Sequence, residues 1–321
     1  MRGRVVVVGS ANLDLVTVTP TLPVPGETVL ATSYRELPGG KGSNQATAAA
    51  RMGADVSFVG RRGADAAGNI LTDALTVEGI DVTHFAVADG PTGRALVMVD
   101  DAAENSIIVV QGTNALVTPE AVDEAAALIA DARVVVCQLE VPVATVLAAA
   151  RTTTGTFVLN PAPAQHLPEE LLAAVSVLVV NETEYETVLG SPIPDDLSEI
   201  ADVAGRPGMP ETVVATLGSR GAAVCHQGTV TVVAPPTVEV VDTTGAGDTF
   251  VGALAAELAA GLDLAQAARH AVTAASLSTR SLGATQGMPR RDEVVDVAPP
   301  SSESVTSRPR GNHQVGTPTE A

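Results

Sequence analysis

The sequence predicts an α/β fold: a doubly wound, mainly parallel sheet with helices on both faces, together with a small β-sheet that forms a lid. Short β-branched runs alternate with Ala-rich helical segments, polar residues follow the strands, and two segments interrupt the alternation. Such alternation is typical of a parallel sheet that is covered on both faces. Ligands of these sheets bind beyond the carboxyl ends of the strands.

The core strands are expected where β-branched runs end in polar residues or glycine. These runs are Val5–Val8, Val56–Val59, Val134–Val136, Thr156–Leu159, Val177–Val180 and Thr212–Thr216. The Ala-rich segments 43–52, 66–78, 119–130, 143–151 and 168–174 predict helices, and the apolar run that follows Phe250 predicts another.

Polar side chains stand at the ends of the predicted strands. They are Asn12 and Asp14, Glu140, Asn160, Asn181 and Glu184, and Thr216. A turn or a helix cap would explain any one of them. All of them follow the carboxyl ends of predicted strands. This shared position favours a ligand-binding edge of the sheet, because loops that only face solvent do not require this pattern.

Two segments, about 13–36 and 92–111, break the alternation. The first contains strand-like pieces separated by prolines, and the second is predicted to be a hairpin around residues 100–104. We expect both to belong to the lid over the active site, within one domain that covers residues 1–295. The Pro-, Ser- and Thr-rich tail, 296–321, is predicted to be disordered.

Composition limits the partners of the protein. The 321-residue chain has a net charge of −19, which argues against nucleic acid and anionic membranes as partners. Hydrophobic residues make up 45% of the chain and aromatic residues 2%, so a core of Ala, Val and Leu is expected. Cys137 and Cys225 are expected to be buried free thiols. Neither a signal sequence nor a membrane span is predicted, so a cytoplasmic location is expected.

The most informative segment is the Gly-rich turn that precedes the last long apolar run. Gly245, Ala246 and Gly247 allow backbone N–H groups to approach a ligand at the start of a predicted helix, where anions bind well. Asp248, in the same turn, would then accept a proton from the acceptor of a phosphoryl group. The alternative is an ordinary loop in which Asp248 caps the helix.

Four motifs in order resemble the ribokinase (PfkB-type) family of sugar kinases over about residues 4–292. They are Asn12-Leu-Asp14, Pro38-Gly-Gly-Lys-Gly-Ser-Asn-Gln-Ala46, Asn181-Glu-Thr-Glu184 and Asp242-Thr-Thr-Gly-Ala-Gly-Asp248. The second is most similar to the ribokinase branch, and a Walker A sequence is absent. The resemblance implies a ribokinase-like fold and transfer of the γ-phosphoryl group of ATP to a sugar hydroxyl, O5 of D-ribose.

The resemblance also implies a sugar site, a nucleotide site and a catalytic turn. The sugar would contact Asn12, Asp14, Gly40, Lys41, Asn44, Glu140 and Asp248. The nucleotide would contact Asn181, Glu184, Thr216, Gly218, Ser219, Gly221 and Gly247. Asp248 would be the base, beside the anion hole of Gly245, Ala246 and Gly247. Three simpler interpretations remain: Lys41 as a solvated surface lysine, Glu140 as a helix N-terminal carboxylate, and Asn-x-x-Glu as a helix cap.

By the same resemblance, Glu184 would organise water bound to Mg²⁺, and a monovalent cation, K⁺, would lie near the anion hole. Its ligands, mostly carbonyl groups, would come from Asp242, Thr244, Ser278, Ser281, Gly283 and Gly287. Gly287 stands where family members often have serine, so one hydroxyl ligand is missing.

Two alternatives to a ribose kinase remain open on the sequence. The substrate could be another sugar or a nucleoside, because a few lid contacts decide that choice. The chain could also be a catalytically silent sugar or nucleotide sensor, although a sensor has no need of Asp248. Family resemblance further implies a homodimer formed through the lid.

Overall fold

The computed structural model describes residues 3–102 and 104–298 and the backbone of 304–305. Its strands are β1 (Arg4–Val8), β2 (Asn12–Thr19), β3 (Ser33–Gly39), β4 (Asp55–Arg62), β5 (Asp81–Val87), β6 (Gly93–Asp100), β7 (Asn105–Val110), β8 (Val134–Cys137), β9 (Thr156–Leu159), β10 (Val177–Val180), β11 (Thr212–Thr216), β12 (Ala222–His226), β13 (Thr229–Val233) and β14 (Ser304–Val305).

The helices lie between these strands and after them. They are α1 (Lys41–Arg51), α2 (Ala66–Val77), α3 (Pro119–Glu124), α4 (Ala126–Asp131), α5 (Val143–Thr152), α6 (Glu169–Ala174), α7 (Glu182–Leu189), α8 (Ile200–Ala204), α9 (Ala246–Ala260), α10 (Leu264–Ser278) and α11 (Arg291–Val297). Short 3-10 turns cover Gly112–Leu116, Leu197–Glu199 and Gly218–Arg220.

The main sheet has the strand order β14-β13-β12-β11-β10-β9-β8-β1-β4-β5. It is parallel from β11 to β5, whereas β12, β13 and β14 join in antiparallel pairs. In β1, Val5 and Val7 pack into one core cluster, and Val6 and Val8 pack into the other. Successive side chains of a strand point to opposite faces, so an unbroken valine run marks a strand buried on both. The predicted doubly wound sheet is confirmed.

A separate four-stranded sheet has the order β3-β2-β6-β7. Its strands lie within the two segments predicted for the lid or extend a few residues beyond them. β2 pairs with β6 in parallel, and the other two pairs are antiparallel. Asp100 accepts hydrogen bonds from Ala102 N and Glu104 N, both at 2.9 Å, in the turn between β6 and β7. The predicted small sheet and its hairpin are therefore confirmed.

Helices α1 and α9 cross closely, and this crossing positions the site. A Cβ at Gly252 of α9 would collide with Gln45 O and Ala48 Cβ of α1, so only glycine allows this approach. The start of α1 and the start of α9 consequently lie together at the carboxyl end of the sheet.

The structure differs from the sequence prediction at several boundaries. The predicted helix 119–130 is two short helices, with Ala125 between them. Helix α11 ends at Val297, beyond the predicted domain boundary at residue 295. In the predicted tail, Ser304 and Val305 pair with β13, whereas 299–303 and 306–321 lie outside the described residues.

Cys137 and Cys225 are buried free thiols, as predicted. Within the described ranges, no helix combines the length and apolar character that crossing a membrane requires.

Candidate active site

Asp248 is the third residue of α9, and its carboxylate is directed to α1. Gly245 adopts a left-handed conformation, with φ 76°, and starts the helix without a side-chain cap. Asp248 is 8% exposed and accepts hydrogen bonds from Asn44 Nδ2 and Gln45 Nε2, both at 2.9 Å. The Asp248 carboxylate therefore faces the helix that carries the Gly-Gly-Lys motif, instead of capping its own helix.

The backbone of the Gly-rich turn presents N–H groups beside this carboxylate. Ala246 N donates to Thr243 O at 3.2 Å, so the turn itself already uses that N–H group. Gly247 and Asp248 are the second and third residues of α9, where N–H groups have no acceptor within the helix. A Cβ at Gly247 would lie more than 4 Å from every described atom outside its own turn of helix. A ligand anion therefore has room at these N–H groups.

Asn12, at the start of β2, is held by a residue that the sequence did not indicate. Asn114 Nδ2 donates to Asn12 Oδ1 at 2.7 Å and to Ala11 O at 3.2 Å, while Asn114 Oδ1 accepts from Ala11 N at 3.1 Å. Both asparagines are buried. Because the Asn12 carbonyl oxygen is engaged, the Asn12 amide has its N–H groups to offer a ligand.

Glu140 holds the turn that leads into α1. Its Oε2 atom accepts from Ser10 Oγ at 2.5 Å and from Lys41 N at 3.0 Å, and Ser10 Oγ accepts from Gly42 N at 3.3 Å. Helix α5 begins only at Val143. Glu140 therefore stabilises the Gly-Gly-Lys turn rather than the start of the following helix.

Three carboxylates, those of Asp248, Glu140 and Glu184, lie close enough to Lys41 for their charges to act on it. Burial, followed by the charges of Glu140 and Asp248, raises the pKa of Asp14 to about 7. The charge of Asp248 is the main cause that raises the pKa of Lys41, and Glu140 and Glu184 add to it. Lys41 is thus a half-buried cation inside an acidic cluster, not a solvated surface lysine.

Asn181 and Glu184 form a capping box at the start of α7. Asn181 Oδ1 accepts from Glu184 N at 2.8 Å, and Glu184 Oε2 accepts from Asn181 N at 3.0 Å. Glu184 also accepts from Asn160 Nδ2 at 3.2 Å. Burial raises the pKa of Glu184. The capping interpretation is therefore correct, and the same carboxylate also belongs to the cluster around Lys41.

The predicted nucleotide residues of segment 216–221 lie at the end of β11. Thr216 Oγ1 donates to Val180 O at 3.3 Å and so joins the ends of β11 and β10. Gly218 and Ser219 form the 3-10 turn that follows, and Gly221 ends it. This places them on the same sheet edge as Asn181, one strand away.

The two segments predicted to bind a cation meet in front of α9. Val241 N and Asp242 N donate to Thr279 O at 2.8 and 3.0 Å. Asp242 accepts from Thr244 N at 2.9 Å and from Gly283 N at 2.8 Å. The predicted ligands Asp242, Thr244, Ser278, Ser281, Gly283 and Gly287 thus come from the loop before α9, and from the last residue of α10 with the loop that follows it. Among the described residues, no group of three or more His, Cys, Asp or Glu side chains is placed to hold a metal ion.

Known proteins match this chain over almost its whole length. The family described as "pfkB family carbohydrate kinase" matches residues 2–291. The chain is 38% identical over 302 residues to a ribokinase of Haemophilus influenzae, covering 92% of this chain and 98% of the relative. A ribokinase of Bacillus subtilis is 37% identical over 299 residues, covering 92% of this chain and 99% of the relative.

A solved structure of Arabidopsis thaliana ribokinase, complexed with ribose and ATP, superposes with a TM-score of 0.86. It is 34% identical and covers 93% of this chain and 99% of its own. The fold, the four motifs and the extent of these matches lead to one conclusion: this chain belongs to the pfkB family of carbohydrate kinases.

Proposed function

We propose that this protein transfers the γ-phosphoryl group of ATP to O5 of D-ribose, giving D-ribose 5-phosphate and ADP. The observation that carries the proposal is the Asp248 carboxylate, which lies at the N-terminus of α9 and is hydrogen-bonded to Asn44 of the Gly-Gly-Lys helix. The ribokinase relatives, one of them solved with ribose and ATP, support the choice of both substrates.

The sugar would lie among Asn12, Asp14, Lys41, Asn44 and Glu140. Ionised Asp14 can accept from two neighbouring hydroxyl groups, and the Asn12 amide can donate to a sugar oxygen. The backbone of Gly40 comes close to Asn12 and completes this wall. An acidic, half-buried wall suits a neutral polyol, because its hydroxyl groups donate to carboxylates.

In the transfer step, Asp248 accepts the proton of the O5 hydroxyl as O5 attacks the γ-phosphorus. The new O5–P bond forms while the bond to the bridging oxygen breaks, and ADP leaves with that electron pair. The N–H groups of the 245–248 turn, chiefly those of Gly247 and Asp248, stabilise charge on the transferring group. Such a transfer depends mainly on positioning and electrostatics, so a carboxylate serves as the base.

The residues at the nucleotide side fit Mg²⁺ held through water. Glu184 Oε2 accepts from Asn181 N and Asn160 Nδ2, and Oε1 accepts from Asn181 Nδ2. Oε1 therefore keeps one acceptor position for a metal-bound water. Mg²⁺ keeps several waters and binds few protein carboxylates when phosphates supply the other ligands. When bound, it would neutralise charge on the phosphate oxygens. Thr216, Gly218, Ser219 and Gly221 would line the nucleotide.

A K⁺ ion would lie between segments 242–244 and 278–287. Asp242 connects them through its hydrogen bonds from Thr244 N and Gly283 N, which fixes the carbonyl groups around it. Ser278 Oγ donates to Ala275 O at 2.8 Å, so its carbonyl group is the better candidate ligand. The cation would add positive potential beside the anion hole.

The lid sheet is proposed to cover the sugar and to form a homodimer. Edge strand β7 exposes four consecutive apolar residues, Ile107, Ile108, Val109 and Val110, with exposures of 46–57%. An apolar strand at a sheet edge is a template for pairing with a second copy. Ile108→Lys should therefore give monomers in sedimentation analysis, and Val77→Lys on α2, which is 85% exposed, is the matched control. Monomeric wild type would contradict the dimer.

The direct test is ADP release with D-ribose, 2-deoxyribose, D-fructose and adenosine in turn. D-Ribose should give the highest kcat/KM, and ³¹P NMR should place the phosphate on O5. A buried acceptor left without its hydroxyl partner costs about 1–3 kcal/mol, so 2-deoxyribose should be at least about tenfold less efficient. A higher kcat/KM with another acceptor would identify that compound, instead of ribose, as the substrate. Ribose binding without ADP release would indicate a sensor. The cytoplasmic location stays a prediction.

A further inference from the structure

Gln45, the residue after Asn44, is a fully buried amide that points to the catalytic turn. Its relative exposure is 0%. Gln45 Nε2 donates to Asp248 Oδ1 at 2.9 Å and to Asn160 Oδ1 at 3.1 Å. Gln45 Oε1 accepts from Gln138 Nε2 at 2.6 Å. Both N–H groups are therefore used, and the donor on Gln138 fixes which end of the amide faces Asp248.

The two oxygens of Asp248 each receive one amide donor from adjacent residues of α1. Asn44 Nδ2 donates to Oδ2, and Gln45 Nε2 donates to Oδ1. Two donors on different oxygens hold the plane of a carboxylate, and each oxygen still keeps a second acceptor position. Asn44 is also expected to contact the sugar, whereas Gln45 is sealed inside the protein.

The same amide connects the base to the nucleotide side. Asn160, which receives one hydrogen bond from Gln45, donates from Nδ2 to Glu184 Oε2 at 3.2 Å and to Val179 O at 3.1 Å. A continuous chain of amides thus runs from Gln138 through Gln45 and Asn160 to Glu184. Asp248 branches from it at Gln45.

We infer that Gln45 is a positioning residue for phosphoryl transfer: it holds the Asp248 carboxylate in its catalytic orientation and keeps it as a proton acceptor. The inference rests on the proposed function. An amide N–H stabilises the ionised carboxylate and has no proton to give up at neutral pH. Gln45 acts through Asp248 and makes no contact with substrate in this role.

The sharpest variant is Gln45→Glu, which keeps the shape of the side chain and replaces the donor by a carboxyl oxygen. Two carboxylates at hydrogen-bond distance share one proton until the pH is high enough for both to ionise. The acid limb of kcat, measured with both substrates saturating, should move to higher pH by about one unit or more. An acid limb that coincides with that of wild type would overturn the inference.

A second variant, Gln45→Met, removes the hydrogen bonds and keeps the length of the side chain. We expect kcat to fall about tenfold or more, while KM for ribose and for ATP changes by less than about threefold. Thr47→Val is the matched control, because Thr47 is buried on the same helix and lies outside this chain of amides. If Gln45→Met only disturbs α1, kcat should fall equally in Gln45→Met and Thr47→Val, and this result would overturn the assigned role.

A third variant, Gln138→Met, tests the same role without changing residue 45 itself. It removes the donor that fixes the Gln45 amide, so kcat should fall in the same direction by a smaller factor, with the KM values unchanged. Wild-type enzyme is measured first. If it does not phosphorylate ribose, the proposed function fails, whereas normal wild-type turnover with unaffected variants rejects only the role of Gln45.

Discussion

Two regions border the start of α9, and they are built from different chemical groups. Toward α1, buried side chains hydrogen-bond to one another: Asn44 and Gln45 to Asp248, and Asn114 to Asn12. In front of α9, segments 242–244 and 278–287 meet largely through main-chain groups, such as Thr279 O and Gly283 N. The first region is a side-chain site, and the second is a backbone site.

This difference determines how each region responds to substitution. A buried side chain that loses its partner leaves another group unsatisfied, so one change in the side-chain site has a large and specific effect. A carbonyl ligand is supplied by any residue that keeps the loop conformation, so the backbone site responds to changes of shape. The predictions below test this contrast.

The largest effect is expected from Asp248→Asn. The new amide can no longer take the O5 proton, and its NH₂ group would face one of the two amide donors that now bind the carboxylate. We expect kcat to fall by roughly 10² to 10⁴, with binding of ribose and ATP near that of wild type. Asp263→Asn, at the N-cap of α10, is the control because asparagine also caps helices. Turnover within a fewfold of wild type would exclude Asp248 as the base.

The next effect concerns Asp14 and pH. Its pKa is raised to about 7, so Asp14 is neutral below that pH and charged above it in the free enzyme. Because the charged form accepts better from sugar hydroxyls, kcat/KM for ribose should rise with pH and fall about tenfold per unit well below pH 7. Asp14→Asn should remove this rise of kcat/KM with pH (the acid limb of the profile) and should lower kcat/KM at pH 8. An unchanged limb in Asp14→Asn would assign it to another group.

A smaller effect is expected from Asn114→Asp. The substitution places a carboxyl oxygen against Asn12 Oδ1, where Nδ2 now donates at 2.7 Å, so the Asn12 amide should turn over. KM for ribose should rise about tenfold, since one buried contact is worth about 1–3 kcal/mol, while kcat changes less. Asn69→Asp on the exposed face of α2 is the control. Equal effects of the two variants would leave Asn114 without a role in the sugar site.

The sequence predicted the parts of the molecule that depend on local pattern. The valine run of β1 predicted a strand buried on both faces, and its side chains do divide between the two core clusters. The Gly-rich turn before α9 was predicted from small residues followed by an apolar helix. Hairpin β12–β13 was missed, although Gln227 and Gly228 form a two-residue turn with positive φ, a conformation for which glycine is the usual signal.

Contacts between distant residues could not be predicted in the same way. Ser10 and Glu140 are 130 residues apart, yet they hydrogen-bond beside Lys41. Gln45 and Gln138 are polar residues in apolar surroundings, and nothing in their local sequence shows that one orients the other. Asn114 follows a lid strand and has the appearance of a turn residue. Only the fold brings these partners together, so local sequence patterns could not predict these contacts.

The smallest effect is expected at Gly287. Family resemblance suggested that glycine here lacks a hydroxyl ligand, which serine would supply. The structure argues otherwise, because a Cβ at Gly287 would collide with Ser278 O and crowd Ser281 Cβ. Serine would therefore push away the Ser278 carbonyl group, which is itself a proposed ligand.

Wild-type kcat should rise saturably with KCl at constant ionic strength, and less with NaCl, because a cation here would orient the anion-hole turn. Gly287→Ser should need a few times more K⁺ for half-maximal activation, and Gly205→Ser, an exposed glycine with negative φ, should match wild type. Tighter K⁺ activation in Gly287→Ser would show that the hydroxyl group matters more than the loop shape. A flat response of wild type to K⁺ would remove the cation site and leave Asp248 and the anion hole unaffected, since their contacts with α1 do not involve it.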